Sequence, residues 1–189
     1  MEKKSDKELM KLITECDYRA FKILFHRYER QIFNFILRYT GRREIAQDLL
    51  QETFTRVWFA AHTFDQKGGN FRGWLFKIAL NITRNEMSKK QYTYQFFELS
   101  ELSGTTSEPT HPEAEQPDIK TEHLDLKKML FQAIGKLKPH LKEIIILKHY
   151  HQLKFREIAE MTDTPEGTLK ARFHRAIAQL KALLEPLDL

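Results

Sequence analysis

The sequence predicts an all-α protein made of two small helical domains joined by a flexible acidic linker. Apolar residues recur every three or four positions over residues 1–93 and again over residues 122–189. No segment alternates apolar and polar residues over the length of a strand. Residues 94–121 between the two domains are rich in Pro, Ser, Thr and Glu, a composition that buries too little surface to offset the entropy of ordering.

The charge distribution follows the same division of the chain. Among 189 residues, 31 Lys and Arg face 26 Asp and Glu, which gives a net charge of +5. Residues 1–90 carry +7, residues 91–119 carry −6 and residues 120–189 carry +4. Two basic blocks on either side of an acidic stretch indicate two modules that face a polyanion. The alternative is that solvated helix faces happen to be basic, and charge alone leaves both open.

Composition excludes several classes of protein. The single Cys16 forms neither an internal disulfide nor a multi-cysteine metal site, and this fits a reducing cytoplasm. No run approaches the ~18 apolar residues that span a bilayer, and the charged N-terminus has no signal core. No glycine-rich phosphate loop is present. We therefore expect a cytoplasmic protein without membrane insertion, metal or cofactor.

The N-terminal domain contains four predicted helices. Ser5 and Glu8 have the spacing of a capping box before the first helix. The second helix carries the clearest apolar stripe and ends at Gly41, and the third begins near Glu44. A polar break at residues 64–70 follows, in which Asn70 is placed to cap a fourth helix that runs to residues 88–90.

The C-terminal domain ends in a predicted helix-turn-helix. Two helices come first. One begins at Leu124 and ends before Pro139, and the other covers residues 141–148. A short helix over residues 155–161, a turn and a long final helix then follow, with Thr164 as N-cap and Pro165 as first helical residue.

One face of the final helix is expected to form core and the other to meet DNA. The expected core comprises Leu169, Phe173, Ala176, Ile177, Leu180 and Leu184. The expected DNA face comprises Glu166, Gly167, Thr168, Lys170, Ala171, Arg172, His174 and Arg175. Small residues at its start allow close approach to a groove, and the basic residues reach phosphates. A helical hairpin with a basic solvated face is the plainer alternative, and the capped turn favours DNA binding.

The fourth helix carries a second candidate surface. Lys77, Asn81, Arg84, Asn85 and Ser88 form a polar stripe at helical spacing. Aromatic residues crowd the adjoining elbow, either as core or as a stacking surface for unpaired bases. The glycine pair and exposed amides of the 64–70 loop suit a pocket for a base pulled out of the duplex.

The third helix has an acidic polar side that does not suit DNA. Asp48, Gln51, Glu52 and Arg56 lie on it. Solvation and a basic partner protein explain it equally well.

These motifs resemble a known family. Residues 48–58 match the D-L-x-Q-E-x-F-x-x-x-W signature of region two in bacterial sigma factors, and residues 71–85 resemble its continuation. Residues 157–176 resemble region four. The length and two-domain layout resemble the extracytoplasmic-function (ECF) class, and the resemblance covers nearly the whole chain apart from the linker.

The resemblance implies partners and a function without catalysis. Such a protein binds core RNA polymerase, directs promoter-specific initiation, and is expected to have an anti-sigma factor as a further partner. The implied contacts with the polymerase clamp coiled coil and flap are Asp48, Gln51, Glu52, Phe54, Arg56, Leu137, Leu141 and Ile145. The implied contacts with the opened minus-ten strand are Phe64, Asp65, Gln66, Lys67, Asn70, Phe71, Lys77, Asn81, Arg84 and Asn85. The final helix would read the minus-thirty-five element as duplex, and the acidic linker would thread toward the active-site and RNA-exit channel.

Two other classes compete with this interpretation. A one-component helix-turn-helix regulator would use the N-terminal domain as a sensor or dimerisation domain, but the acidic third helix and the polar stripe of the fourth do not suit a sensor. An enzyme would need a group of catalytic side chains at suitable spacing. His149 and His151 lie two residues apart on a helix and face different ways, and no H-E-x-x-H motif is present.

Overall fold

The computed structural model describes residues 4–89 and 117–185, except for the side chains of residues 117–125. The regular elements in these two stretches are all helical, as the sequence predicts. We call residues 4–89 the N-terminal module and residues 117–185 the C-terminal module. Residues 94–116 of the predicted linker lie outside the described residues. None of the described helices is both long enough and apolar enough to cross a bilayer.

The N-terminal module is built from four α-helices. These are α1 (Asp6–Thr14), α2 (Tyr18–Thr40), α3 (Arg43–Ala60) and α4 (Phe71–Lys89), with a 3-10 turn at Ala61–Thr63. The predicted capping box is confirmed, since the Ser5 N–H donates to Glu8 Oε2 at 2.7 Å and the Glu8 N–H donates to Ser5 Oγ. Gly41 ends α2 in the left-handed conformation at φ 69°, which a residue with a Cβ adopts only at a cost.

The N-terminal core lies where α2 meets α3 and α4. Its largest fully buried side chains include Phe35 on α2 and Phe76 on α4, whose rings meet edge to face at 5.5 Å. Aromatic pairs in this geometry add to the stabilisation that burial gives. This core fixes α4 firmly, so the polar stripe of α4 is presented in a defined direction.

The C-terminal module begins earlier than the apolar pattern indicates. Its helices are α5 (Pro117–Lys136), α6 (Pro139–Ile145), α7 (Phe155–Thr162) and α8 (Glu166–Leu184), with a π-helical segment at Ile146–Tyr150. Helix α5 starts at Pro117, inside the segment expected to be linker. Proline is tolerated in a first helical turn, and a polar first turn has no apolar period by which to recognise it.

The start of the final helix differs by one residue from the prediction. Pro165 has an extended ψ of 140° and is the N-cap, so the first helical residue is Glu166. Thr164 precedes the N-cap, and its hydroxyl donates to the Thr162 carbonyl at 3.1 Å.

The predicted core face of α8 is only partly buried. Leu169, Ala176 and Leu180 are buried, whereas Ile177 is 45% exposed. The expectation that Ile177 belongs to the core is therefore wrong, because no described helix covers that side of α8.

The two modules pack against each other through α4, α7 and the π-helical segment, which we call the closed arrangement. His151 ends the π-helical segment, and its N–H donates to the Ile146 carbonyl five residues back. The imidazole lies against the rings of Phe35 and Phe76, with centroids at 5.8 and 4.9 Å. Burial, reinforced by the positive charges of Arg38 and Arg72, holds the pKa of His151 well below its usual range, so the ring is neutral.

We predict opposite effects of alanine at two glycines. Gly41→Ala should lower the free energy of unfolding by about 1–2 kcal/mol, because alanine is strained at positive φ. Gly167→Ala is the matched control. A Cβ there meets nothing within 4 Å, and alanine in a helix should raise stability by up to about 1 kcal/mol. Urea unfolding followed by circular dichroism measures both, and equal destabilisation would contradict the assignment of Gly41 as a left-handed cap.

Candidate nucleic-acid interface

The loop before α4 is a tight, preformed turn. The Asp65 carboxylate accepts hydrogen bonds from the backbone N–H groups of Lys67 and Gly68 at 2.9 and 3.1 Å. A Cβ at Gly69 would lie 2.4 Å from the Asp65 carbonyl oxygen, so this position requires glycine. The Asn70 side chain then accepts from the Gly73 N–H and caps α4, as predicted. The side chains of Asp65, Gln66, Lys67 and Asn70 are exposed.

Two aromatic rings expected at the minus-ten strand are buried. Phe64 is 5% and Phe71 is 3% exposed, and their rings meet edge to face at 5.8 Å. Phe71 also packs against the ring of Tyr28. Neither ring has a free face on which a base could stack. The expectation that Phe64 and Phe71 contact DNA is therefore corrected. Both rings support the site by holding the loop against the core.

The polar stripe on α4 is present and lies partly under the C-terminal module. Asn81, Asn85 and Ser88 are exposed. Arg84 donates from Nε and Nη2 to the two carboxylate oxygens of Glu143 at 2.8 and 2.6 Å. Lys77 Nζ lies 3.8 Å from Asp163 Oδ2.

The loop makes a further contact of the same kind. Asn70 Nδ2 donates to Glu157 Oε1 at 2.7 Å. Glu157 also accepts from the Lys154 N–H through its other oxygen, which caps α7. The acidic partners Glu143, Glu157 and Asp163 escaped sequence reasoning, because pairing across the two modules leaves no local pattern.

The outer face of α8 is open. Glu166, Gly167, Thr168, Lys170, Ala171, His174 and Arg175 are exposed and Arg172 is half-buried. His140, at the start of α6, joins five of these residues around one shallow groove. Sequence reasoning missed His140, because it lies outside the helix-turn-helix in the chain.

The acidic side of α3 is exposed as expected, but four other proposed polymerase contacts are not. Asp48, Gln51, Glu52 and Arg56 are on the surface, and Arg56 donates to Glu52 at 2.7 Å. The buried ones are Phe54 at 2%, Leu137 at 5%, Leu141 at 3% and Ile145 at 2% exposure. Leu137, Leu141 and Ile145 pack inside the C-terminal module, so a partner cannot reach them in this arrangement, and Phe54 packs largely inside the N-terminal module.

An aromatic groove beside the acidic side of α3 was not predicted as a site. It runs between the start of α2 and the end of α3. Its lining residues include Tyr18, Phe21, Phe25, Phe54, Trp58 and Phe59. Tyr18 is 67% and Phe59 is 72% exposed, which is unusual for large aromatic side chains. The aromatic residues at the end of α3 are visible in the sequence, but they were expected to lie beside the 64–70 loop.

Comparison with known families decides the identity. The Sigma-70 region 2 model matches residues 24–93 and the Sigma-70 region 4 model matches residues 127–180. The chain belongs to the sigma-70 family. The region 4 match includes α7 and most of α8, which form the helix-turn-helix, and the polar stripe of α4 falls within region 2.

Full-length relatives place this sigma factor in the ECF class. It is 27% identical to the ECF RNA polymerase sigma-E factor of Haemophilus influenzae, over 98% of each chain. It is 29% identical to the ECF RNA polymerase sigma factor SigW of Bacillus subtilis, over 96% of this chain and 97% of that one.

Two solved structures share the fold of this sigma factor. One is CnrH in complex with the cytosolic domain of CnrY, with a TM-score of 0.69 and 22% identity over 97% of this chain and 99% of that one. The other is the sigma factor RpoE of Bartonella quintana in complex with the anti-sigma factor NepR. Its TM-score is 0.66 and its identity 25%, over 88% of this chain and 98% of that one.

The protein is thus an RNA polymerase sigma factor that directs promoter-specific transcription initiation, and it is not an enzyme. The one-component regulator is set aside. Among the residues that the structure describes, no group of His, Cys, Asp and Glu side chains could hold a metal ion.

We predict that Arg175 of this sigma factor contacts a phosphate. Arg175→Ala should weaken promoter binding by the reconstituted polymerase holoenzyme and reduce the slope of log affinity against log salt by roughly one. Lys11→Ala removes an exposed positive charge from α1 and should leave the slope unchanged. Filter binding over a salt series measures both. An unchanged slope for Arg175→Ala removes it from the phosphate contacts.

Proposed function

We propose that the two modules divide the promoter between them. The polar stripe of α4 and the 64–70 loop capture the opened minus-ten strand, and the outer face of α8 reads the minus-thirty-five element as duplex. The observation that carries the proposal is the exposed amide pair, Asn81 and Asn85, beside Arg84 on a helix that the core holds rigidly. Amide side chains can bond base edges, and a guanidinium beside them can bond a base edge or a phosphate.

Strand opening in this scheme is driven by binding. A base that leaves the duplex loses a few kcal/mol of stacking and pairing, which contacts in a pocket offset. The loop is stiffened by its Asp65 hydrogen bonds and by buried Phe64, so it does not need to become ordered on binding. Preorganisation of this kind reduces the cost of capture.

Duplex recognition falls to the start of α8. Gly167, Thr168 and Ala171 are small and exposed, so the helix can approach base edges closely. Arg172 and Arg175 follow on the same side, within reach of the phosphates that fix the register. The N-terminus of α8 adds unpaired backbone N–H groups and a favourable dipole.

The polymerase surface of this proposal is the exposed side of α3 with the aromatic groove beside it. Asp48 and Glu52 supply negative charge for a basic partner, and the groove between α2 and α3 supplies apolar area. Interfaces of this kind combine a charged rim with buried aromatic anchors. The clamp coiled coil of core polymerase is the proposed occupant. Because Leu137, Leu141 and Ile145 are buried, contact with the flap must use other residues.

An anti-sigma factor completes the proposed partners, and the cytoplasm, where core polymerase is found, is the proposed location. Both solved structures of the same fold are complexes, one with the cytosolic domain of CnrY and one with the anti-sigma factor NepR. The acidic residues 91–119 are proposed to follow the nucleic-acid channel of the polymerase, since a chain with a charge of −6 mimics a polyanion.

We predict that Asn81→Ala impairs promoter melting more than promoter binding. The substrate is a promoter found by sequencing transcript starts from holoenzyme on a genomic promoter pool. Permanganate footprinting should show reduced opening, while closed-complex affinity stays within about twofold, because a lost base contact acts only on the separated strand. Gln132→Ala removes an exposed amide from α5 and is the matched control. Equal losses in melting and in closed binding would exclude strand capture by Asn81.

We predict that charge reversal on α3 disrupts the holoenzyme. Asp48→Lys with Glu52→Lys should weaken association with core polymerase at least tenfold, because like charges across an interface cost on the order of 1.4 kcal/mol or more. Glu15→Lys with Glu185→Lys makes the same charge change elsewhere on the exposed surface and should have no effect. Fluorescence anisotropy measures the affinities. Retained affinity with intact helicity would rule out the α3 surface.

A further inference from the structure

Three acidic residues of the C-terminal module contact side chains that the proposed function assigns to binding the minus-ten strand. Arg84 contacts Glu143, Asn70 contacts Glu157 and Lys77 faces Asp163. In each pair the N-terminal partner is a donor and the C-terminal partner is a carboxylate. The carboxylates therefore stand where a nucleic acid would place its acceptors.

The pair of Arg84 and Glu143 is the strongest of the three. Its two parallel hydrogen bonds have the fork geometry with which arginine also binds a phosphate. Glu143 is only 5% exposed, so its charge depends on the guanidinium for compensation. Neither group is free to contact DNA while the modules are packed together.

Other side chains also make close contacts between the two modules. The Arg72 side chain donates to the His151 carbonyl at 2.5 Å, and the neutral His151 ring fills the space against Phe35 and Phe76. The guanidinium of Arg38 lies 4.3 Å from the ring centroid of Tyr150. Apolar burial and directed hydrogen bonds thus reinforce the ionic pairs.

We propose that Glu143, Glu157 and Asp163 form an intramolecular latch that occupies Arg84, Asn70 and Lys77 of the minus-ten surface in the free protein by mimicking the acceptors of the opened strand. The inference rests on the proposed role of α4. The masking is selective, because the outer face of α8 and the acidic side of α3 remain exposed in the closed arrangement. The free protein therefore presents its proposed duplex-reading and polymerase-binding surfaces in full. On the strand-capturing surface Arg84, Lys77 and Asn70 are engaged, while Asn81 and Asn85 stay exposed.

The test neutralises the latch without touching the minus-ten residues. The variant carries Glu143→Gln, Glu157→Gln and Asp163→Asn. Glutamine keeps the shape of glutamate and an acceptor oxygen, so the cap of α7 survives and circular dichroism should show unchanged helicity. The matched control carries Glu15→Gln, Glu160→Gln and Glu185→Gln, which removes the same charge from exposed positions outside the interface.

Two measurements on the free full-length protein report whether the latch is closed. Cys16 is exposed and is the single cysteine, so adding Lys181→Cys gives one dye site on each module for single-molecule energy transfer. The second measurement is the affinity for a single-stranded oligonucleotide that carries the minus-ten element of a promoter transcribed by the holoenzyme. The minus-thirty-five duplex of the same promoter is the reference ligand.

The latch variant should shift to low energy transfer and bind the single strand about tenfold or more tightly than the unaltered protein, since masking multiplies the intrinsic affinity by the open fraction. Its affinity for the duplex, and all properties of the control variant, should change less than twofold. Unchanged energy transfer overturns the proposal, because the acids then do not hold the modules. Equal gains for single strand and duplex also overturn it, since they reflect lost charge alone.

Different results would contradict the proposed function and the latch. If Asn81→Ala leaves melting by the holoenzyme intact, the assignment of α4 to the minus-ten strand is wrong, whatever the dyes report. If Asn81→Ala impairs melting but the separated latch variant gains no affinity for the single strand, α4 keeps its role and the latch is overturned.

Discussion

The bidentate pair between Arg84 and Glu143 is the interaction on which the closed arrangement depends most. A carboxylate that is 5% exposed is costly to keep charged, and the guanidinium satisfies both of its oxygens. Arg84 belongs to the helix that the proposal assigns to the opened strand. The contact that compensates a buried charge in one module therefore also removes a basic side chain from use in the other.

This coupling implies an order of events in initiation. In the proposed scheme, the exposed faces of α3 and α8 are available to polymerase and to duplex DNA before the modules separate. Arg84 and Lys77 on the polar stripe of α4 would become available only afterwards. A sigma factor built in this way would not trap single strands when it is free. Polymerase docking would supply the free energy that parts the modules, because a partner shifts such an equilibrium by its differential affinity for the two states.

Local features of the fold follow from the sequence, and contacts between the modules do not. Gly41 and Asn70 mark helix ends through backbone chemistry that involves only neighbouring residues, so their roles can be predicted from the sequence. Glu143 pairs with an arginine from a distant helix, and no short-range pattern indicates that. Apolar residues such as Leu141 fit a partner surface and a core equally well in sequence. Only packing shows that Leu141 is buried, just as only backbone geometry shows the π-helical segment.

The distance between the modules tests the central claim most directly. Spin labels on Cys16 and on Lys181→Cys allow double electron–electron resonance on the full-length protein, first alone and then with core polymerase and promoter DNA. We expect one short-distance population for the free protein, replaced by a longer one in the complex. The same short distance in a complex that has opened its promoter would contradict it, because Arg84 would then still be held by Glu143 while the strand is captured.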